Sequence, residues 1–259
     1  MPLAGFICPD GVAVDLEDCI SHCRYSGGRC LTIPTLIAVA KSDRPPSDTF
    51  STTQLLNGTR MSYLKIVEPY YITPTDSMYA LLGSGVHKLL AEHRHQGALQ
   101  EQQLQDEINS GTFDYYYEED GIAVLTDYKV WGSWAVRRML DPSGDHFDPE
   151  MQVNRYRTLL EDAGHRVDRM QLQIAVRDGG LAIAKQRGID KPVYVIPIKF
   201  IADHEVISYF QAKAVALQES LASKQLPPPC DDRERWQGNR CKSYCDVWSS
   251  CNIGRSKHG

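Results

Sequence analysis

Apolar residues recur along the chain at spacings that predict several amphipathic helices. Between residues 76 and 95 they return every three or four positions, as one buried face of a helix requires. A second helix is predicted from Asp148, with Pro149 at its first position and Gly164 just beyond its end. The pattern of residues 201–224 predicts a third helix, which leads into a proline-rich spacer.

Strand patterns lie between these helices. Residues 111–129 are dense in aromatic and β-branched side chains and are interrupted by Asp120-Gly121, a pair typical of a tight hairpin turn. Two further strands are predicted at residues 172–176 and 192–198. Residues 41–59 are rich in Ser, Thr, Pro and Asp and are predicted to be a loop. This mixed order of helices and strands predicts an α/β domain.

The hairpin brings candidate chemistry together. If the chain turns between Asp120 and Gly121, Asp114 and Asp127 lie directly opposite each other on the two strands. Lys129 lies two residues beyond Asp127, and side chains two apart on a strand share a face. The sequence therefore predicts two carboxylates and an ammonium group side by side on one surface.

Such a set suits phosphodiester hydrolysis. The carboxylates of Asp114 and Asp127, with the main-chain carbonyl of Tyr128, are oxygen ligands of the kind that Mg²⁺ or Mn²⁺ prefers. A bound metal would activate a water, and Lys129 would orient that water or stabilise phosphate charge. The alternative is an ordinary ion pair on the open face of a sheet.

Eight cysteines form two groups of four at the two ends of the chain, and no cysteine lies between the groups. The groups are spaced C-x10-C-x3-C-x6-C and C-x10-C-x3-C-x5-C, and they consist of Cys8, Cys19, Cys23 and Cys30, and of Cys230, Cys241, Cys245 and Cys251. Thiolates at such short separations can converge on one metal centre. We therefore expect zinc or iron–sulfur ligation rather than scattered core cysteines.

Composition limits the remaining possibilities. A net charge of -5 argues against a protein that coats nucleic acid by charge alone, but not against a nucleic-acid enzyme with local basic patches. The sequence lacks an apolar run long enough to span a bilayer and a recognisable secretory signal, so a soluble cytoplasmic protein without membrane contact is expected.

The motif Gly111-x-x-Asp114, a spacer and Asp127-Tyr-Lys129 together resemble the core signature of the PD-(D/E)XK nuclease superfamily. The similarity is to the branch that contains RecB-type and CRISPR-associated exonucleases. The resemblance implies a restriction-endonuclease-like core, with a central mixed β-sheet flanked by helices, and cysteine-bearing segments at both ends. It also implies a catalytic group of Asp114, Asp127 and Lys129.

Accessory positions extend this resemblance. His87 resembles the histidine of an early helix that contributes to the metal site in this branch, alongside Asp114, Asp127 and Tyr128. Gln152 and Tyr156 match the Q-x-x-x-Y motif of this branch, and the resemblance implies that they belong to the catalytic group. They are four residues apart and so lie on one face of a helix. The domains then expected are a cysteine segment at 1–40, a nuclease core at 60–226 and a second cysteine segment at 227–259.

Family members carry a 4Fe–4S cluster held by flanking cysteines, and Cys241, Cys245 and Cys251 resemble the downstream trio. Here three residues rather than two separate the first pair, and Cys230 lies just upstream. Two arrangements are open. Each group holds its own centre, the second an iron–sulfur cluster and the first zinc or another cluster, or one N-terminal cysteine completes the trio.

The expected activity is Mg²⁺- or Mn²⁺-dependent hydrolysis of DNA, by analogy exonucleolytic on single strands or ends. Four arginines are candidate phosphate contacts or, alternatively, part of a solvated face: Arg137, Arg138, Arg155 and Arg157. Trp131 and Trp134 are either base-stacking or, by preference, core residues. Two alternatives remain, a non-catalytic DNA-binding or assembly module stabilised by cysteine-ligated metal, and a zinc-finger-like interaction protein.

Overall fold

The protein is an α/β protein with two mixed β-sheets flanked by helices, as seen in a computed structural model that describes residues 3–41 and 49–253. The strands of these residues are β1 (Leu3–Ile7), β2 (Ala13–Asp15), β3 (Tyr70–Ile72), β4 (Leu99–Gln105), β5 (Ser110–Glu119), β6 (Ile122–Trp131), β7 (Arg169–Val176) and β8 (Val193–Ile198). The helices are α1 (Leu16–Ser21), α2 (Ile33–Lys41), α3 (Thr52–Leu56), α4 (Thr59–Val67), α5 (Met78–Glu92), α6 (Ser133–Leu140), α7 (Phe147–Asp162), α8 (Ala182–Gln186), α9 (Asp203–Ser223) and α10 (Asn239–Ser243).

The chain is divided into two compact units. The first draws on residues 1–48, 57–84 and 212–259, and the second on residues 49–56 and 85–211. Both cysteine groups therefore belong to the first unit, whereas the predicted catalytic residues all belong to the second.

The first unit contains a small sheet in the order β2-β1-β3, in which β1 pairs antiparallel with β2 and parallel with β3. Phe6 of β1 is buried, as are Leu36 and Val39 of α2. These apolar side chains give the unit its core.

The second unit contains a five-stranded sheet in the order β4-β5-β6-β7-β8. Only the β6–β7 pair in this sheet is parallel, since the other neighbouring strands run antiparallel. Helix α7 packs against β4, β5, β6 and β7, and α6 packs against β7. The core between them includes Phe113, Leu125, Leu160, Leu172 and Ile174.

The predicted hairpin is confirmed. Strands β5 and β6 meet at Asp120 and Gly121, whose φ angles of 52° and 75° are those of a type I′ turn. Tyr115 pairs with Thr126, and the register continues to Glu119 opposite Ile122. A turn centred on Asp120-Gly121 produces this register.

Two helix predictions need correction. Helix α7 begins at Phe147, two residues before the predicted first position Pro149, and its N-cap is His146 rather than Asp148. The Asp145 carboxylate accepts a hydrogen bond from the Phe147 main-chain N–H just before the helix (3.1 Å). Helix α5 forms close to its predicted bounds, but none of its residues is buried, and Leu89 is 56% exposed. Its periodicity therefore identified the helix but not a buried face.

The predicted loop at residues 41–59 is also wrong in part. Helix α3 occupies Thr52–Leu56, and its side chains Thr52, Leu55 and Leu56 are buried. The Thr52 hydroxyl donates a hydrogen bond to the Ser110 carbonyl (3.1 Å), so tertiary packing overrides the polar composition. Residues 42–48 of the predicted loop lie outside the described residues.

None of the helices in the described part of the chain has both the length and the apolar character needed to cross a membrane.

Candidate metal and catalytic site

Asp114 of β5 and Asp127 of β6 lie on neighbouring strands, one step beyond the Tyr115–Thr126 pair in the same register. Both are buried, with 6% and 2% of their surfaces exposed. Asp114 Oδ2 accepts a hydrogen bond from the main-chain N–H of Tyr128 (2.5 Å), which fixes its carboxylate against β6. The sheet thus holds two carboxylates close together with little access to water.

Lys129 connects the carboxylates to helix α7. Its Nζ lies 2.6 Å from Asp127 Oδ2 and donates a hydrogen bond to Gln152 Oε1 (3.0 Å). Gln152 Nε2 in turn donates to the hydroxyl of Tyr156 (2.8 Å). An unbroken polar chain therefore runs from Asp127 to Tyr156, and each group in it limits the orientation of the next.

Gly111 leaves room for the ring of Tyr156, the last group of this hydrogen-bonded series. A Cβ atom at this position would lie 2.9 Å from ring carbons of Tyr156 and 2.9 Å from the Thr52 hydroxyl. Real Cβ atoms do not approach backbone-anchored rings so closely, so a larger residue would displace Tyr156. The glycine of the Gly111-x-x-Asp114 motif thus has a packing role beside the site.

His87 approaches the carboxylates from α5. Its Nδ1 lies 3.1 Å from Asp114 Oδ1 and 3.5 Å from Glu101 Oε1. One ligand atom from each of His87, Glu101 and Asp114 lies within 4.8 Å of the others, close enough for a single metal ion. The structure therefore adds Glu101 to the residues that the sequence pointed to.

Glu101 belongs to β4, a polar strand of sequence LQEQQLQ. Its φ of 49° is in the left-handed region, which residues with a Cβ atom rarely adopt and which costs about 1 kcal/mol or more. The sequence carries no motif for this position. Only the pairing of β4 with β5 brings Glu101 next to Asp114, so sequence reasoning missed it.

Burial and crowding shift the acidities of the site. Burial raises the pKa of Asp127 to about 6; the Lys129 ammonium opposes this shift and the Asp114 carboxylate adds to it. The hydrogen bond to Asp114 raises the pKa of His87, against the opposing effect of burial. The carboxylates of Asp114, Asp127 and Glu101 outnumber the two cationic side chains of the cluster, Lys129 and His87, and a divalent cation would offset the excess negative charge.

Tyr128, predicted to offer its main-chain carbonyl to a metal, lies between the two motif residues Asp127 and Lys129. Its ring centroid is 6.3 Å from that of His87, in an edge-on arrangement. Burial raises the pKa of its phenol to about 12, with smaller contributions from Tyr115, Asp114 and Glu101. The hydroxyl is therefore protonated at neutral pH.

The predicted phosphate contacts of Arg155 and Arg157 are wrong. Arg155 is fully buried and donates to Asp106 and Asn109, and Arg157 is 4% exposed and pairs with Glu161 and, through a second nitrogen, with another acidic side chain. Buried guanidinium groups require such partners, because an unpaired charge in the interior is costly. Both arginines stabilise the second unit and do not face a ligand.

The two tryptophans differ from each other. Trp131 packs against the core, as predicted, but Trp134 is 54% exposed. The guanidinium of Arg138 lies 4.9 Å from the centroid of the Trp134 ring, one helical turn along α6. This pair follows directly after the strand that carries Asp127 and Lys129.

The C-terminal cysteines share one small cavity. It has a volume of about 30 Å³, and its lining includes all four of them, Cys230, Cys241, Cys245 and Cys251, together with Arg60, Arg235 and apolar side chains. Burial raises the pKa of the Cys245 thiol to about 11 and raises that of Cys230 as well. Cys230 thus lines the same cavity as the downstream trio.

Comparisons with known proteins do not identify a family. No family model and no curated protein matches the sequence. The chain is similar in structure to the crystal structure of SSO0001, with 16% sequence identity, a TM-score of 0.49, and coverage of 89% of this chain and 99% of that chain. A similarity at this level carries no conclusion about function. The class that the fold and the site define is an α/β protein with a buried, carboxylate-rich candidate metal site.

Proposed function

We propose that this protein is a Mg²⁺- or Mn²⁺-dependent nuclease that hydrolyses DNA phosphodiester bonds and is built on a PD-(D/E)XK core. The observation that carries the proposal is the convergence of ligand atoms from His87, Glu101 and Asp114 within 4.8 Å. Asp127 and Lys129 lie beside this group, in contact with each other. The alternative of an ordinary surface ion pair does not account for the burial of Asp114 and Asp127, or for the contact between Asp114 and His87.

The donor set fits the proposed ions. Carboxylate oxygens are the ligands that Mg²⁺ and Mn²⁺ prefer, and one imidazole nitrogen suits Mn²⁺ in particular. Asp127 and the Tyr128 carbonyl are further oxygen donors from the same strand.

Hydrolysis requires a water to be activated and a phosphate to be held. When bound, the metal lowers the pKa of a coordinated water and offsets charge on the phosphate. Lys129 has three N–H donors, of which Asp127 and Gln152 engage two. The third can donate to the attacking water or to a phosphate oxygen. Gln152, itself held by Tyr156, keeps the ammonium aimed at that position.

Substrate strands would need contacts outside the metal site. Exposed Trp134 and half-buried Arg138 offer a stacking surface and a positive charge directly after the strand that carries Asp127 and Lys129. Aromatic rings hold unpaired bases by stacking, whatever the sequence. These features support action on single strands or frayed ends, and the family resemblance adds an exonuclease mode.

The C-terminal cysteines support a 4Fe–4S cluster as a further cofactor. Four thiols line one cavity, and four thiolates are the number of ligands that a 4Fe–4S cluster takes. The cluster would join the segment after α9 to α4, since Met61 and Leu64 of α4 line the same cavity. We assign it a structural role.

The test uses full-length protein purified without oxygen and loaded with Mg²⁺ or Mn²⁺. End-labelled single- and double-stranded DNA is incubated with the wild type, with Lys129→Ala and with Lys191→Ala, in which an exposed lysine of the same unit is removed. We expect cleavage by the wild type and by Lys191→Ala, and a loss of about 100-fold or more in Lys129→Ala. Labels at the 5′ or 3′ end show the polarity.

Folding of each variant is checked by circular dichroism, because removing Lys129 leaves the Asp127 carboxylate buried without its partner. Metal-replete wild type that cleaves no DNA, yet binds it, would favour the non-catalytic module. Cleavage that is equal in Lys129→Ala and the wild type would show that the activity arises elsewhere.

A further inference from the structure

The N-terminal cysteines are gathered by short-range structure alone, beginning with the first hairpin. Cys8 follows β1, and its main-chain N–H donates to the Val12 carbonyl (2.8 Å) while its carbonyl accepts from Gly11 (2.8 Å). Strand β2 then passes without a gap into α1, which packs back on β1. This return brings Cys19 of α1, buried with 8% exposure, towards Cys8.

A second set of contacts brings in Cys23 and Cys30. Helix α1 ends at Ser21, so Cys23 lies just beyond it, and a turn closed by the Gly28 N–H donating to the Tyr25 carbonyl (3.0 Å) reverses the chain. Gly28 adopts a φ of 84°, which suits glycine at this turn. After the turn the chain heads back towards α1.

Arg29 fastens the returning chain to the helix. Its guanidinium donates to the main-chain carbonyls of Cys19 (2.6 Å) and Ile20 (3.0 Å) at the end of α1. Because Cys30 is the next residue, this contact holds its thiol beside the helix that carries Cys19. The β1–β2 hairpin, α1, the turn at Gly28 and the Arg29 contacts thus bring the four N-terminal cysteines into one region.

Electrostatic coupling between the thiols agrees with this geometry. Burial raises the pKa of Cys19 most, and the thiolates of Cys8, Cys30 and Cys23 raise it further. Cys8 is affected in the same way by burial, by Asp10 and by two thiols of the same group, with Arg24 opposing. The cavity that the four C-terminal cysteines line includes none of the N-terminal four, so the two groups are separate.

We propose that Cys8, Cys19, Cys23 and Cys30 bind a second metal centre of their own, separate from the C-terminal cysteine cavity. The ligand is a thiophilic metal held by four thiolates, either a zinc ion or an iron–sulfur cluster. Each thiol that becomes a ligand releases its proton to solvent. This inference goes beyond the nuclease activity, since no residue of the catalytic site takes part.

The centre has a clear physical role. Between α1 and α2 the chain runs from His22 to Thr32 without regular structure. Few apolar side chains anchor this stretch, so a metal that cross-links it to β1 and α1 supplies the missing stabilisation. The site is thus a structural staple for the N-terminal part of the first unit.

Metal and acid-labile sulfide analysis of anaerobically purified full-length protein tests the proposal. The variants are Cys19→Ser with Cys23→Ser, Cys241→Ser with Cys245→Ser, and Ser26→Ala as a matched control in the same loop. We expect the wild type to carry metal for two centres: about one zinc per chain beside the iron if the N-terminal centre is zinc, or about twice the iron of one cluster if it is iron–sulfur. Each double variant should lose the metal of the centre whose cysteines are replaced and keep the metal of the other centre.

The proposal is overturned if the wild type holds metal for one centre only, or if either double variant loses all of it, which would indicate one shared centre. A variant that does not fold is replaced by alkylation of the native wild type, with the modified cysteines mapped by mass spectrometry. Protection of Cys19 and Cys23 that is lost on chelation supports the centre, whereas equal modification with and without chelator contradicts it. Because neither measurement uses DNA, its failure is distinct from failure of the nuclease proposal.

Discussion

Glu101 of β4 lies opposite Asp114 of β5, in the gap between the paired residues Gln100–Tyr115 and Gln102–Phe113. The backbone of Glu101 is left-handed at this position. Its carboxylate lies 3.5 Å from His87 Nδ1, the same nitrogen that the Asp114 carboxylate approaches. Strained backbone at a cluster of ligand atoms is typical of a functional site.

Glu101→Gln is expected to weaken Mn²⁺ binding by about tenfold or more, because a neutral amide replaces a charged ligand while the size of the side chain is kept. Calorimetric titration with Mn²⁺ measures the change. Glu107→Gln, at an exposed position in the turn after β4, is the control and should bind as the wild type does. Equal affinities in all three proteins would remove Glu101 from the metal site.

Glu101→Gly is expected to stabilise the metal-free protein by about 1 kcal/mol, since glycine adopts a positive φ without strain. The same variant should bind Mn²⁺ poorly. Urea unfolding in the presence of a chelator, with the sheet followed by circular dichroism, gives the free energy of unfolding. A loss of stability in Glu101→Gly would mean that contacts of the Glu101 side chain outweigh the backbone strain.

Tyr156→Phe removes the hydroxyl that accepts a hydrogen bond from Gln152 and so loosens the group that aims Lys129. We expect kcat to fall by about tenfold, the value of one hydrogen bond, with Mn²⁺ affinity unchanged. Steady-state kinetics on single-stranded DNA separates the two effects. Tyr194→Phe, which loses a hydroxyl bonded to Asp190 elsewhere in the unit, is the control. A change in metal affinity alone would place Tyr156 in a different role.

The Asp106–Arg155 pair predicts a pH-dependent contribution to stability. Burial acts to raise the pKa of Asp106, but hydrogen bonds from Arg155 and the main-chain N–H groups of Asn109 and Ile108 outweigh it, and the pKa lies below its ordinary value. A lowered folded-state pKa stabilises the fold above the unfolded pKa, and the benefit is lost as the pH falls through the folded value.

Asp106→Asn should therefore cost about 2 kcal/mol at pH 7, a figure reduced for the partial exposure of Asp106. The difference from the wild type should hold down to about pH 5 and shrink below about pH 4. Urea unfolding midpoints at several pH values measure it, with Glu107→Gln as the control. A difference that does not change with pH would show that the charge of Asp106 contributes nothing.

The sequence by itself determined the features that depend only on residues close together along the chain. The Asp120-Gly121 turn set the register of β5 and β6, and this register alone placed Asp114 next to Asp127. Helical spacing likewise put Gln152 and Tyr156 on one face of α7. The structure brings these predicted residues together with Lys129, whereas their catalytic roles remain proposals.

Tertiary structure decided what depends on contacts between distant segments. Glu101 entered the site because β4 pairs with β5, which its polar sequence does not specify. Arg155 became a buried structural cation and Trp134 an exposed ring, since burial follows from what packs on each helix and not from residue type. Turn geometry and periodicity are fixed by neighbours along the chain. The partner of a strand or helix face is fixed only when the whole chain has packed.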